Sequence, residues 1–248
     1  MPGEPLETEV QIDPAIGAVE IKITARVEDE DLALRILEQR GDQPQGRTIY
    51  FFDTPNLELF DAGLVLRARK VKGDQDDSTV KLRPVDPARI AIEWMQTAGF
   101  EIELDRIGDT GIVSAKLSAP QAEGEIDDVV AGVRPLHKLF SPDQERLIAE
   151  FGPADVGWDA LTVMGPIDVC KWKAEFDDFE HAVTAERWQL PDKSALVELS
   201  IKVHPSVSST AGAEFRAFLE HHGLDVAGDQ QTKTRGALTF FTTSKGFD

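Results

Sequence analysis

Apolar positions along this chain recur mainly with a period of two, the spacing of a strand with one face in a core, and only in a few stretches with the 3.6-residue period of a helix. Period-two segments fall at 18–26 (AVEIKITAR), 47–53 (RTIYFFD), 63–72 (GLVLRARKVK), 78–83 (STVKLR), 99–106 (GFEIELDR), 111–118 (GIVSAKLS), 167–175 (IDVCKWKAE), 184–190 (TAERWQL) and 195–203 (ALVELSIKV). These eight or nine candidate strands cover the whole length, with no βαβ alternation and no repeat of 20–50 residues.

Helical patterns fill the gaps. Residues 28–40 open with acids, place Leu32, Ile36 and Leu37 on one face and stop at Gly41. Asp53-Thr54-Pro55 reads as a turn into a short helix, with Thr54 as N-cap and Gly63 past its end. Ser141 with Gln144 three residues on has the capping-box pattern for a helix over 142–151, and 210–222 carries Phe215, Phe218 and Leu219 on one stripe. The prolines and acids of 119–166 predict a mainly helical insertion inside one strand-rich domain of 18–240. Residues 1–17 are then an N-terminal extension and 241–248 a C-terminal tail.

The residues that alternate with the apolar ones carry the chemistry. Glu20 and Lys22 share a strand face, as do Arg67 and Arg69, Lys81 and Arg83, Glu101 and Glu103, Lys171 and Lys173, and Glu198 with Ser200 and Lys202. An ordinary sheet with one face in water would also show charged positions. Here, though, basic residues come as same-sign doublets on three strands, and like charges that close repel unless a polyanion or interleaved carboxylates lie between them. If the amphipathic helices cover the apolar faces, the charged faces line the inside of a closed barrel. Arg and Lys in such a lumen bind phosphate oxygens, and Glu holds Mg²⁺ or Mn²⁺ bridging them.

Charge sharpens this picture. The 248 residues contain 26 Lys and Arg against 45 Asp and Glu, a formal net charge of −19. A surface so negative repels DNA and anionic lipid, which argues against nucleic-acid coating or membrane association. The acid is uneven: 64–83 holds six Lys/Arg against three Asp, whereas 101–160 holds thirteen acids against five bases. A cationic interior in an anionic shell would admit small polyanions and exclude long ones. The single cysteine, Cys170, excludes an internal disulfide or a Cys-based zinc cluster, and no apolar run approaches a membrane span, so the expected location is the cytoplasm. Cys170 and Trp172 alternate with Lys171 and Lys173 and are expected in the outer apolar layer. The run 123–128 (EGEIDD) reads as a solvated acidic turn, and His221-His222 as a helix end. P-loop, dinucleotide-fold, nucleophile-elbow and zinc-protease motifs are absent.

Five segments occur in an order that resembles the CYTH-domain proteins, the triphosphate tunnel metalloenzymes. They are Val19-Glu20-Ile21-Lys22, Tyr50-Phe51-Phe52-Asp53-Thr54, Leu64-Val65-Leu66-Arg67-Ala68-Arg69, Thr79-Val80-Lys81-Leu82-Arg83 and Val197-Glu198-Leu199-Ser200. The resemblance spans about 18–240. It implies an α+β protein with an eight-stranded antiparallel barrel, helices outside, and a lumen for triphosphate and a divalent metal, Mg²⁺ or Mn²⁺. By it, Glu20 and Lys22 correspond to the end of the family's ExExK strand. Arg67, Arg69, Lys81, Arg83, Lys171, Lys173 and the late Lys233 correspond to its phosphate-binding bases. Glu198 stands for the first acid of its terminal ExE strand, and Glu20, Glu198 and Glu103 are the implied metal ligands, the first two catalytic. Ala18 and Ser200 stand where the family has further acids, and Gly99 where it has an arginine. The expected function is metal-dependent hydrolysis of a small triphosphate-containing substrate. A non-catalytic triphosphate-binding module and an adenylate cyclase are the alternatives.

Overall fold

The computed structural model describes residues 13–25, 30–38, 43–107, 110–225 and 232–244. The beginning and the Gly41 stop of the 28–40 helix, most of the 1–17 extension and the end of the 241–248 tail lie outside the described residues.

Nine strands form: β1 (Ala18–Thr24), β2 (Gln45–Asp53), β3 (Leu64–Val71), β4 (Asp76–Leu82), β5 (Phe100–Ile107), β6 (Thr110–Gln121), β7 (Thr162–Phe176), β8 (Phe179–Gln189) and β9 (Ala195–Val203). They close a barrel in the order β1-β5-β6-β4-β3-β2-β7-β8-β9. The implied eight-stranded, wholly antiparallel barrel is therefore corrected to nine strands with one parallel pair. The two changes are linked by geometry: strand directions can alternate all the way round a closed ring only if the strand count is even. With nine, one neighbouring pair must run parallel, and here it is β1 with β5, Ala18 opposite Glu103 and Glu20 opposite Asp105.

The apolar faces point outward and the helices cover them. Val19, Ile21 and Ile23 of β1 join outward residues of β7, β8 and β9 beneath α1 (Glu30–Glu38) and α6 (Ser208–His221), with Phe215 and Leu219 buried. On the other side, Leu64, Leu66, Val80, Leu82, Ala115 and Leu117 pack beneath three further helices, α3 (Ile92–Met95), α4 (Glu125–Val130) and α5 (Pro142–Phe151). Each fully buried Leu or Ile contributes about 1.5–3 kcal/mol, so these two layers dominate the stability. The capping box at Ser141 forms, and buried Gln144 does more than cap. Its Nε2 donates to the Ser78 and Leu117 carbonyls and its Oε1 accepts from Ser78 Oγ, which fastens α5 to the barrel wall.

A third apolar cluster lies inside. Ile49 and Phe51 stand opposite Arg69 and Arg67 in the register and so share their inward face, and they pack with Trp188 against Ala237, Leu238 and Phe241 of α7 (Lys233–Ser244).

Local expectations fare unevenly. Asp53 and Thr54 do organise a turn, the Asp53 carboxylate accepting from the Thr54, Leu59 and Phe60 amides, although the helix they serve, α2 (Glu58–Asp61), begins later than the sequence predicts. His222 ends its helix against Phe218 and Phe176, a packing role. Trp172 is buried in the outer layer as expected, but Cys170 on the same face is exposed. The acidic run is largely helical, as part of α4, and is paired: Glu125 with Arg134 at 2.6 Å and Asp127 with Lys70 at 2.7 Å. Among the described residues no helix is long and apolar enough to cross a membrane.

Gly99 has a backbone reason to depart from arginine. Its φ is +83°, and a Cβ there would sit 2.4 Å from the Ser118 carbonyl oxygen of β6. Gly99→Ala is therefore expected to lower the urea midpoint by a stability loss of roughly 1–3 kcal/mol, as for other forced left-handed residues. An unchanged midpoint would refute this account of the turn.

Candidate functional site

Because the side chains of each strand alternate, one face of every strand points into the barrel. The lumen encloses a cavity of about 810 Å³ lined by eleven Lys and Arg side chains and five Asp and Glu. Of the residues singled out from the sequence, Glu20, Lys22, Arg67, Arg69, Lys81, Arg83, Glu103, Lys171, Glu198 and Lys233 all line it. Lys173 does not and is exposed. Strand β7 is 15 residues long and continues past the wall, so the alternation carries Lys173 beyond the cavity.

Three carboxylates that the sequence analysis did not single out organise the cations. Asp105 is fully buried in β5, with Lys22 at 2.8 Å, Lys81 at 3.0 Å and Arg83 at 3.3 Å, and it accepts from Ser114 Oγ. Burial opposes its charge, but Lys22, Lys81 and Arg83 outweigh burial and hold its pKa well below the ordinary carboxylate range. Asp77 of β4 takes Arg69 at 2.6 Å and Arg67 at 3.7 Å. Glu186 of β8 accepts from Lys233 at 2.5 Å and Trp188 Nε1 at 3.2 Å, with Arg47 at 3.5 Å. Its burial too is outweighed, by Lys233, Lys171 and Arg47, and its pKa is lowered.

The lysines register the same balance. Burial works against the charge of Lys22, yet Glu20, Glu198 and Asp105 raise its pKa overall. Lys233, the first residue of α7, bridges Glu186 and Glu198, the latter at 3.0 Å, and lies over the Trp188 ring. In contrast, burial, with Lys22 and Arg83 pressing the same way, lowers the pKa of Lys81 against the pull of Asp105.

Counting Asp77 and Asp105 with the lining acids, seven carboxylates face eleven cations and leave a surplus of four positive charges. Among the described residues, two of the guanidinium groups that line the lumen keep a buried donor without a partner: Arg67 Nε and Arg83 Nη2. Buried donors of this kind are expensive unless something accepts from them.

The acids are less well arranged for a metal ion alone. Glu20 pairs with Lys22 at 3.0 Å, Glu198 with Lys233, and Glu103 with Lys116 at 3.1 Å and Lys202 at 2.9 Å. Among the described residues no three His, Cys, Asp or Glu side chains form a group able to hold a metal. Glu20, opposite Lys202, and Glu198, opposite Thr24, stand on neighbouring strands, and each offers a single carboxylate to an ion that takes its remaining ligands from phosphate oxygens and water.

The sequence matches no family model, and no curated protein matches it. Solved structures match its fold. A candidate adenylyl cyclase from Hippeastrum, described as having a dominant triphosphatase activity, superposes with a TM-score of 0.60 at 15% identity over 89% of this chain and 95% of its own. A candidate adenylate cyclase from Bacillus halodurans gives a TM-score of 0.57 at 12% identity over 89% and 97%. The chain has the fold of the CYTH-type triphosphate tunnel proteins.

Proposed function

We propose that the tunnel binds the triphosphate group of a small substrate and hydrolyses it with the aid of a divalent metal ion. The observation that carries this reading is the pair of buried, unpartnered guanidinium donors of Arg67 and Arg83 within a lumen of surplus positive charge. Phosphate oxygens accept from such donors and supply the missing negative charge. Lys22, Lys81 and Arg83 hold the phosphates beside Asp105, and Arg67 and Arg69 of β3 and Lys171 of β7 hold them from their own strands. Glu20 and Glu198 are the residues that would hold the ion, which supplies charge neutralisation and an oriented water. Attack on the terminal phosphorus breaks its bond to the bridging oxygen and releases inorganic phosphate, and the basic side chains stabilise charge on the equatorial oxygens.

The purified protein is expected to release phosphate from tripolyphosphate, ATP or thiamine triphosphate with Mg²⁺ or Mn²⁺, and Glu198→Gln to reduce that release at least a hundredfold. Absence of release from all three in the wild type would remove the hydrolytic part of the reading.

A second reading has its own support. Ala18 and Ser200 replace expected acids, and the lining acids Glu20, Glu103, Glu186 and Glu198 each already face a lysine. This favours a binding module that takes a triphosphate without cleaving it. Tight binding of tripolyphosphate that persists in EDTA, with no phosphate release, is its signature.

A further inference from the structure

Strand β1 lies between β5 and β9, and at its start the two flanking strands present opposite charges. Glu103 of β5 stands opposite Ala18, and Lys202 of β9 stands opposite Glu20. Lys202 Nζ nevertheless reaches Glu103 Oε1 at 2.9 Å, so this ion pair spans the full width of β1. Neighbouring strands are about 4.8 Å apart, which puts roughly 10 Å between the two flanking backbones. Two side chains that meet across such a span need a small residue beneath them. Ala18 is that residue: it shares a strand face with Glu20, and it lines a second cavity of about 420 Å³ together with Glu103 and Lys202. The methyl group at position 18 and the lysine at 202 are two halves of one arrangement.

Glu103 Oε1 accepts from two ammonium groups, Lys202 and, at 3.1 Å, Lys116, which also meets Glu101 at 3.1 Å. A divalent ion at Glu103 would have to displace both from one oxygen. It would then find a methyl group at position 18 and, opposite Lys22, the Ser200 hydroxyl, where oxygen-seeking cations need carboxylates. We infer that the Lys202 ammonium is a built-in cation standing where a divalent ion would otherwise bridge β1 and β5, so that Glu103 anchors a lysine and is not a metal ligand. The implied role of Glu103 is thereby reassigned, and any ion in the tunnel is left to Glu20 and Glu198. The inference rests on the triphosphate reading above and deepens it: positive charge at this end is a fixed part of the chain and serves phosphate with or without metal. Lys202 lines both cavities, and its side chain is 55% exposed, so a ligand can reach it. An ammonium group has three donors, and Glu103 takes one of them.

The test counts Mn²⁺ by electron paramagnetic resonance, without triphosphate, on the wild type, Glu103→Gln, Lys202→Ala and the double variant Ala18→Glu/Lys202→Ala. Glu103→Gln is expected to leave Mn²⁺ uptake as in the wild type. The double variant replaces the lysine arch by a second carboxylate on β1 and should take up a Mn²⁺ that the wild type does not. Lys202→Ala alters a largely exposed side chain and leaves folding intact, so it keeps the test valid if the double variant disturbs the barrel; it should bind Mn²⁺ more tightly than the wild type. Loss of Mn²⁺ on Glu103→Gln, or no gain in either Lys202 variant, would overturn the inference. Calorimetry in EDTA gives the second measurement: Lys202→Ala should weaken tripolyphosphate about tenfold, the order expected for truncating one charge of a partly exposed pair. Unchanged affinity would remove Lys202 from phosphate binding. If the wild type does not bind tripolyphosphate at all, the triphosphate reading falls, while the Mn²⁺ counts still decide between lysine and metal at Glu103.

Discussion

Replacing Asp105 with asparagine is expected to destabilise the unliganded protein by roughly 3–5 kcal/mol, the usual consequence of removing one partner from a buried ionic group. Lys22, Lys81 and Arg83 would then face one another across 2.8–3.3 Å contacts to a neutral side chain. At about 2–4 °C per kcal/mol for a chain of this size, the melting temperature should fall by roughly 10 °C in scanning calorimetry. Tripolyphosphate restores the missing negative charge, so it should raise the melting temperature of the variant by more than that of the wild type. The acid limb should change as well. The folded-state pKa values of Asp105 and Glu103 are depressed, that of Glu103 to about 2, so their stabilisation is complete above the ordinary value, 4.5 for Glu103, and is lost as pH falls toward 2. Asp105→Asn lacks its part of that loss, and its stability should depend less steeply on pH in this window. Equal melting temperatures for variant and wild type would show that Asp105 does not hold the cations together.

Removal of either guanidinium that carries an unpartnered donor should have the opposite signature. Arg67→Ala and Arg83→Ala are each expected to weaken tripolyphosphate binding by about 2–5 kcal/mol, roughly thirtyfold to a few thousandfold. For Arg67→Ala the unliganded protein should be no less stable than wild type. Burial, with Arg69 beside it, disfavours the Arg67 charge and lowers its pKa despite Asp77, so the free protein holds that charge at a disadvantage. Arg83→Lys keeps a positive charge but not the fork that reaches Asp105 with one nitrogen and leaves the other free, and should recover only part of the affinity. Calorimetric binding and denaturant midpoints on the same variants separate the two effects. Undiminished binding in both alanine variants would place the triphosphate elsewhere.

The sequence revealed the local part of this architecture and little of the rest. Every period-two segment is a strand, since alternation is a property of a few consecutive residues. The order of those strands, and the parallel closure between β1 and β5, depend on pairings between distant segments that alternation does not encode. The basic residues were legible where they came in doublets, as Arg67 with Arg69 and Lys81 with Arg83. Arg47, Lys116 and Glu186 stand alone on their inward faces and gave no such signal. Asp105 was within reach: it continues the alternation of Glu101 and Glu103 by one more step, and its burial shows that the acidic face of β5 extends farther than the pair marked from the sequence. Lys173 shows the converse, since alternation places it on the inward face but says nothing of where the wall ends.

The parallel pair also governs how the chain must assemble. Strand β1 finds one neighbour in β5 and the other in β9, where Val19 meets Val203 and Thr24 meets Glu198. During synthesis its second edge stays without a partner until nearly the whole chain has emerged. Ring closure is then a late event of high contact order, which predisposes the protein to slow folding and leaves an open edge for strand exchange between nascent copies until β9 arrives.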